Sequence, residues 1–246
     1  MKQIIILLLC FLGTHLMGQN TFEKSYALNS SEKLTLDFEY PELVKISTWD
    51  KQEVVIKAKV IINGEENTED FTIENKRTAG KLIISSRLKN LDKFKNNNIY
   101  VSRHDDDDDD QSVTMNRDGS TITIGKGKKS YRYGTEIDIV LEVFLPKSAQ
   151  VEIDAKYGLV EVQSIPKELF IMAKFGGADV KISEQNVKSL KASTSWGQIF
   201  SNLSAKMSIN GDDMPGKNMR AEYENNKGQE SVRVESEFGH IYLRKN

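Results

Sequence analysis

The sequence predicts an all-β protein built as a β-solenoid, a β-helix-like stack with repeats of about 20 residues and irregular insertions in its N-terminal half. Apolar and polar residues alternate with a period of two through most of the chain after residue 18. Four segments of the C-terminal half also repeat one pattern. The chain has 246 residues, of which 38% are hydrophobic, enough for one or two domains with a core. No long segment carries the apolar stripe of a helix, so few helices are expected.

Residues 1–18 are predicted to be a signal peptide. Lys2 is their only charge, an unbroken apolar run follows at 4–12, and a small residue, Gly18, stands at the expected cleavage point. The run is too short to span a bilayer, which takes about 20 apolar residues. Cys10, the single cysteine, lies inside this run, so neither lipidation nor a disulfide is expected. The mature chain is therefore expected in the periplasm, at the cell surface or secreted, without a membrane-spanning segment.

Residues 19–146 are expected to form an N-terminal β region that holds the opening solenoid turns and charged loop insertions at 103–134. Residues 43–62 have the pattern strand, aromatic corner, strand, with the corner at Trp49, and are interpreted as an opening turn. Alternating apolar residues mark strands at residues 34–38, 44–46, 54–58 and 137–145.

Residues 147–246 are predicted to be the repeat region of the solenoid. Each of four segments is a short alternating strand that ends in an aromatic residue and a glycine, and a second alternating strand follows it. These segments are residues 151–158, 170–176, 190–197 and 232–239. The repeat residues are Tyr157, Gly158, Phe175, Gly176, Trp196, Gly197, Phe238 and Gly239, with Trp49 as their N-terminal counterpart.

The aromatic residues are separated by 18, 21 and 42 residues, and the last interval predicts one divergent repeat near residues 212–220. Two strands per period of about 20 residues are typical of a solenoid, in which each coil covers the apolar face of the next. The rings would then form a column, and each glycine would permit a corner or a close approach between coils. An antiparallel meander or sandwich with regular hairpins is the alternative, because periodicity separates parallel from antiparallel pairing poorly.

Six consecutive aspartates after His104 are the weak candidate for cation binding. Carboxylates suit Ca²⁺, but calcium loops space their ligands, whereas adjacent like charges repel and favour an extended loop. The two histidines of the mature chain, His104 and His240, have no metal-ligand spacing, and the glycines near Lys126 do not match a phosphate-binding loop. No cofactor is therefore expected. The aspartates are Asp105, Asp106, Asp107, Asp108, Asp109 and Asp110.

A resemblance to a known family extends over residues 30–245. It rests on the segments 40–54 and 136–146 and on the pairs Tyr157–Gly158 and Phe175–Gly176. The chain resembles the bacterial putative-adhesin family of exported β-solenoid proteins with a domain of unknown function. The resemblance implies a β-helix-like protein of the cell envelope or exterior, with no established enzymatic activity and no catalytic residues.

The function expected from these features is a non-enzymatic adhesin that presents a repetitive surface to glycans or envelope proteins. Lys and Arg number 34 against 36 Asp and Glu, so nothing predicts a nucleic-acid partner. One alternative is a β-helix glycan lyase or hydrolase, which would need carboxylates and bases gathered on one sheet face. Its candidates are Asp154, Asp179, Glu152 and Lys174, although strand alternation alone explains them as a solvated face. Another alternative is a structural or signalling partner within the envelope. The oligomeric state is left open.

Overall fold

The structure is a computed structural model that describes residues 22–94, 100–103, 114–115, 121–124, 129–132, 135–211 and 218–246. The predicted signal peptide and the six aspartates lie outside these ranges, as do His104 and Lys126. The described chain is all-β, with strands numbered β1 to β22 in chain order and one 3₁₀ turn at Leu91–Phe94. In the parts that the structure covers, no helix has both the length and the apolar character needed to cross a membrane.

The first of two large sheets has nine strands. They are β1 (Phe22–Ala27), β3 (Leu43–Trp49), β4 (Glu53–Ile62), β5 (Glu65–Glu66), β12 (Ile137–Pro146), β14 (Leu159–Val162), β16 (Gly177–Ile182), β18 (Ile199–Ser201) and β22 (Ile241–Lys245). Their order is β1-β4-β12-β3-β14-β16-β22-β18, with β5 paired to β4. Every pair from β12 to β18 along this order is parallel, whereas β1, β4 and β12 pair antiparallel.

The second large sheet also has nine strands. They are β2 (Lys33–Phe38), β6 (Phe71–Thr78), β7 (Lys81–Leu88), β13 (Gln150–Ala155), β15 (Glu168–Ala173), β17 (Val187–Thr194), β19 (Ser208–Asn210), β20 (Met219–Glu224) and β21 (Glu230–Ser236). Their order is β19-β20-β17-β21-β15-β13-β2-β7-β6. The pairs between β17 and β7 are parallel, and the outer pairs at both ends are antiparallel.

A third, antiparallel sheet has the order β8-β11-β10-β9. Its strands are β8 (Tyr100–Arg103), β9 (Thr114–Met115), β10 (Thr121–Ile124) and β11 (Lys129–Arg132). Strands β9 to β11, with Arg103 at the end of β8, fall within the stretch 103–134 that was expected to hold charged loop insertions.

The core lies between the two large sheets, because one cluster of buried apolar side chains draws on both of them. In β2, Leu34, Leu36 and Phe38 are buried and alternate with residues that face outward. In β14, Val160 and Val162 supply the same inward face from the other sheet. The period of two read from the sequence therefore corresponds to one buried and one solvent-facing side of each strand.

Five pairs of consecutive strands place one strand in each large sheet, and we call them units 1 to 5 in chain order. Unit 1 is β2 and β3, unit 2 is β13 and β14, unit 3 is β15 and β16, unit 4 is β17 and β18, and unit 5 is β21 and β22. In both sheets the spatial order is 1-2-3-5-4, so the last unit of the chain lies between units 3 and 4. All contacts between neighbouring units are parallel, which excludes the antiparallel meander for this part of the chain.

The two further expectations about the repeats stand differently. Most of the divergent repeat expected near 212–220 lies outside the described ranges; its described end begins β20, which pairs antiparallel with β17 and β19. The expectation that 43–62 is an opening turn is wrong, because β3 and β4 belong to the same sheet and β4 runs antiparallel to β12. The opening unit is instead β2 with β3, joined through Tyr40.

Candidate functional site

A column of aromatic rings runs along one edge of the units. Tyr40, Tyr157, Phe175 and Phe238 come from units 1, 2, 3 and 5, in their spatial order. Successive ring centroids are 5.7, 5.3 and 5.3 Å apart, with interplanar angles of 7°, 11° and 4°. Phe175 and Phe238 are each 45% exposed and Tyr157 is 39% exposed. The ring faces therefore contact each other, and the column presents mainly ring edges to solvent.

The glycines that follow Tyr157, Phe175, Trp196 and Phe238 allow neighbouring units to approach closely. A Cβ atom on Gly176 would lie 1.5 Å from the carbonyl oxygen of Gly158, and one on Gly239 would lie 1.2 Å from that of Gly176. One on Gly197 would lie 2.0 Å from the carbonyl oxygen of Gly239. Of the four corner glycines Gly158, Gly176, Gly197 and Gly239, only Gly158 has a positive φ, 68°. Close approach of backbones is therefore the main reason for glycine in these corners.

The two tryptophans differ from the other repeat residues. Trp196 is 58% exposed, and its backbone N–H donates to the Glu237 carbonyl at 2.8 Å, beside the end of the column. Trp49 lies at the opposite end of β3, where its ring stacks on Phe144 at 5.5 Å and its Nε1 donates to the Glu53 carbonyl at 2.9 Å. The structure thus brings Tyr157, Phe175 and Phe238 together and leaves Trp49 outside the column.

Tyr40 was not predicted to be a ring of the column, although the sequence around it carries the repeat pattern. Tyr40 follows Leu34 by the same number of residues as Tyr157 follows Val151, and these two apolar residues are paired in register. Tyr40 precedes Pro41 rather than a glycine, and it takes the positive φ itself, at 54°. The interval from the buried apolar residue to the ring, taken without the glycine, identifies Tyr40 as the fourth ring.

The outer face of the second sheet carries polar side chains in rows that cross the strands. In-register pairing aligns one row as Lys33, Gln150, Glu168, Ser231 and Ser189. The next row is Thr35, Glu152, Phe170, Arg233 and Lys191. A trough of about 310 Å³ lies between the rows over β2, β13, β15, β21 and β17. Because these strands are parallel and in register, the trough runs along the stack of units.

Ion pairs and one ring contact hold several trough side chains. The Arg233 guanidinium lies 5.1 Å from the centroid of the Phe170 ring, and its Nε donates to Glu235 at 2.8 Å. The Glu152 carboxylate is 3.8 Å from the Lys81 ammonium. The Gln150 amide donates to Glu168 at 3.1 Å. The trough is therefore lined by positive and negative groups together, with one aromatic ring between them.

The candidates for glycan hydrolysis are not gathered at one place. Asp154 and Glu152 are on the outer face of the second sheet, where partial burial and the charge of Asp37 raise the pKa of the Asp154 carboxyl. Asp179 belongs to the first sheet, and Arg244 Nε lies 2.8 Å from both of its oxygens. Lys174 lies at the corner and forms an ion pair with Glu237 at 3.2 Å.

Two other exposed side chains form hydrogen bonds elsewhere on the described surface. A hydrogen bond that protonated Glu42 donates to the neighbouring carboxylate of Asp138 raises the pKa of Glu42, which is exposed. His240 is exposed, and its Nδ1 accepts from the Gln198 backbone N–H at 3.0 Å. Within the described ranges, no group of three or more His, Cys, Asp or Glu side chains is arranged to hold a metal ion.

Comparison with known proteins gives one distant likeness. No family model matches the chain, and no curated protein matches it. The fold is similar to the crystal structure of a putative cell adhesion protein from Clostridium sporogenes, with a TM-score of 0.46 and 12% sequence identity. The superposition covers 92% of this chain and 99% of that chain.

Proposed function

We propose that this protein is an exported, non-enzymatic β-solenoid of the adhesin type, which binds glycans or envelope proteins through its repetitive outer faces. The observation that carries the proposal is the in-register parallel pairing of units 1, 2, 3, 5 and 4 in both sheets. Such pairing repeats the same side-chain position at every strand, about 4.8 Å apart. A surface of this kind offers many weak contacts at one regular spacing, which suit an extended, repetitive ligand.

A non-enzymatic role fits the placement of the carboxylates. A glycosidase needs two carboxyl groups on either side of one bond, separated by about 5–10 Å. Asp154 and Asp179 are in different sheets, and Asp179 is engaged by Arg244. Asp154 and Glu152 share one face but lie two residues apart on the same strand, and Glu152 forms an ion pair with Lys81. The rows of the outer faces have the composition of a binding surface, with charged, hydroxyl and amide groups interleaved.

Retention of protein-coated beads on envelope fractions or glycans tests the binding function. Beads coated with residues 19–246 should be retained on bacterial envelope fractions or on a glycan array, and beads coated with heat-unfolded protein should not. The same preparations are assayed for release of reducing ends from the retained glycans. Retention without turnover agrees with the proposal; turnover that Asp154→Asn abolishes would replace it with the enzyme alternative. Equal retention of folded and unfolded protein would contradict any binding by the fold.

Export is tested separately from binding. The full chain is expressed in a Gram-negative host, and its cell fractions are probed for the protein. We expect a shortened chain outside the cytoplasm, and a charge placed in the apolar run, Leu8→Arg, should keep the protein inside. Matched Lys2→Arg preserves the charge of the amino-terminal region and should leave export unchanged. A full-length wild-type chain in the cytoplasm would refute the export proposal.

A further inference from the structure

We infer that the trough on the outer face of the second sheet binds a neutral, linear polysaccharide, laid along the stack so that it crosses the strands. The inference rests on the proposed binding function and adds to it the face and the class of ligand. Three features support it: the length and direction of the trough, the balance of charges along its walls, and the hydrogen-bonding groups that line it.

The shape of the trough fits an extended chain. Five adjacent strands form its floor, β2, β13, β15, β21 and β17. At about 4.8 Å between strands, the trough is on the order of 20 Å long. That is enough for several sugar rings in a row. The parallel register repeats the spacing of the wall positions at each strand, although the side chains at those positions differ, so an extended polymer meets polar groups at regular intervals.

The charges favour an uncharged ligand. Lys33, Arg233 and Lys191 line the trough together with Glu152 and Glu168. A polyanion would meet the two glutamates, and a polycation would meet the three basic groups, so each would pay a repulsive cost somewhere along its length. A neutral chain meets no such repulsion. Charged groups are also strong partners for hydroxyls, because hydrogen bonds to an ionised group are stronger than neutral ones.

The lining offers what sugar hydroxyls need. A hydroxyl both donates and accepts, so it is best satisfied where donors and acceptors alternate. Lys33 and Lys191 supply donors, Glu168 supplies acceptor oxygens, and Ser231 and Ser189 supply both. The half-buried Phe170 ring, one face of which contacts the Arg233 guanidinium, adds an apolar edge against which the C–H groups of a sugar can pack.

The test measures binding of neutral hexasaccharides to residues 19–246 by calorimetry. The neutral probes are cellohexaose, mannohexaose, xylohexaose and chitohexaose, and the acidic probe is hexagalacturonate. We expect at least one neutral probe to bind, hexagalacturonate to bind at least tenfold more weakly, and the neutral affinity to change less than twofold between about 0.05 and 0.5 M salt.

Matched variants locate the site. Ser231→Trp fills the floor of the trough and should weaken binding of the neutral probe at least tenfold. The control Ser47→Trp places the same side chain on an outward-facing serine of the first sheet and should leave affinity unchanged. Lys191→Ala, at an exposed position, removes one donor and should weaken binding severalfold even if Ser231→Trp folds poorly.

Three results would overturn the inference: no neutral probe binds, hexagalacturonate binds more tightly, or Ser47→Trp and Ser231→Trp lose affinity equally. Retention on envelope fractions is measured independently of these probes. Retention with no neutral binding would therefore refute the ligand class while leaving the proposed binding function in place.

Discussion

Replacing Gly239 by alanine tests the close stacking of the glycine corners. The new Cβ would lie 1.2 Å from the Gly176 carbonyl oxygen, whereas real Cβ atoms keep at least 3.0 Å, so the two backbones must separate by almost 2 Å. That carbonyl accepts from Ser236 Oγ at 3.3 Å, and the flanking backbone bond from Phe238 N–H to Lys174 is 3.0 Å long. Overpacking and the weakening of about two hydrogen bonds should together cost about 3–5 kcal/mol.

Equilibrium unfolding in urea, followed by far-ultraviolet circular dichroism, measures the loss. Gly80→Ala is the matched control, because Gly80 has a positive φ of 74° but no atom within 4 Å of the added Cβ. Its cost should be limited to the left-handed backbone, about 1–2 kcal/mol. If Gly239→Ala loses no more stability than Gly80→Ala, the close approach of units 3 and 5 is not what requires glycine at this corner.

Three further outcomes follow from individual contacts. Phe175→Ala removes two stacked ring contacts and should cost about 1–3 kcal/mol of unfolding free energy. Trp196→Ala removes a more exposed ring and should cost about 1 kcal/mol. If urea titration gives the reverse order of the two losses, the ring column is contradicted. The hydrogen bond from the Ala205 backbone N–H lowers the pKa of Glu184, so Glu184→Gln should destabilise the protein at pH 7. The loss of unfolding free energy relative to wild type should vanish as pH falls well below 4.5. A loss that does not depend on pH would count against this hydrogen bond. Burial raises the pKa of Asp154, so the ionised carboxylate opposes folding above that raised pKa. Asp154→Asn should therefore raise Tm at pH 7. The gain in Tm should shrink as the pH is lowered toward 3.8.

The sequence predicts the strands well, because alternation is a local property of each segment. Leu34, Leu36 and Phe38 alternate with polar residues, and the structure buries these three. The repeat of apolar positions before each ring likewise depends only on neighbouring residues. Trp49 shows the limit of such reasoning: its segment looks like a repeat, but its ring lies on the far end of β3 and stacks on Phe144. The local pattern identifies a strand, but it does not specify which end of the strand lies at the corner that carries the ring column.

The trough could not be predicted, because it depends on which units are neighbours. Ser231 lies beside Ser189 and Glu168 only because unit 5 is inserted between units 4 and 3. A stack built in chain order would pair Glu168 with unit 4 and move Arg233 away from Phe170. The segments of units 4 and 5 have the same alternating pattern, so nothing in either one specifies its neighbour.

The insertion of unit 5 is specified instead by the chain that leads into it. β20 pairs with one edge of β17 and β21 pairs with the other edge. The connection between β20 and β21 therefore crosses β17 at its first residues. Gly228 permits this crossing, because a Cβ there would lie 2.3 Å from the Val187 carbonyl carbon. Backbone N–H groups of Asn225 and Gln229 donate to Lys188 at 2.8 Å and to Asn186 at 2.7 Å, which fixes the crossing against β17. Once β20 pairs antiparallel with one edge of β17, the short crossing delivers β21 to the other edge. The order of the stack, and with it the composition of the trough, therefore follows from one antiparallel pair and one tight connection rather than from the repeats themselves.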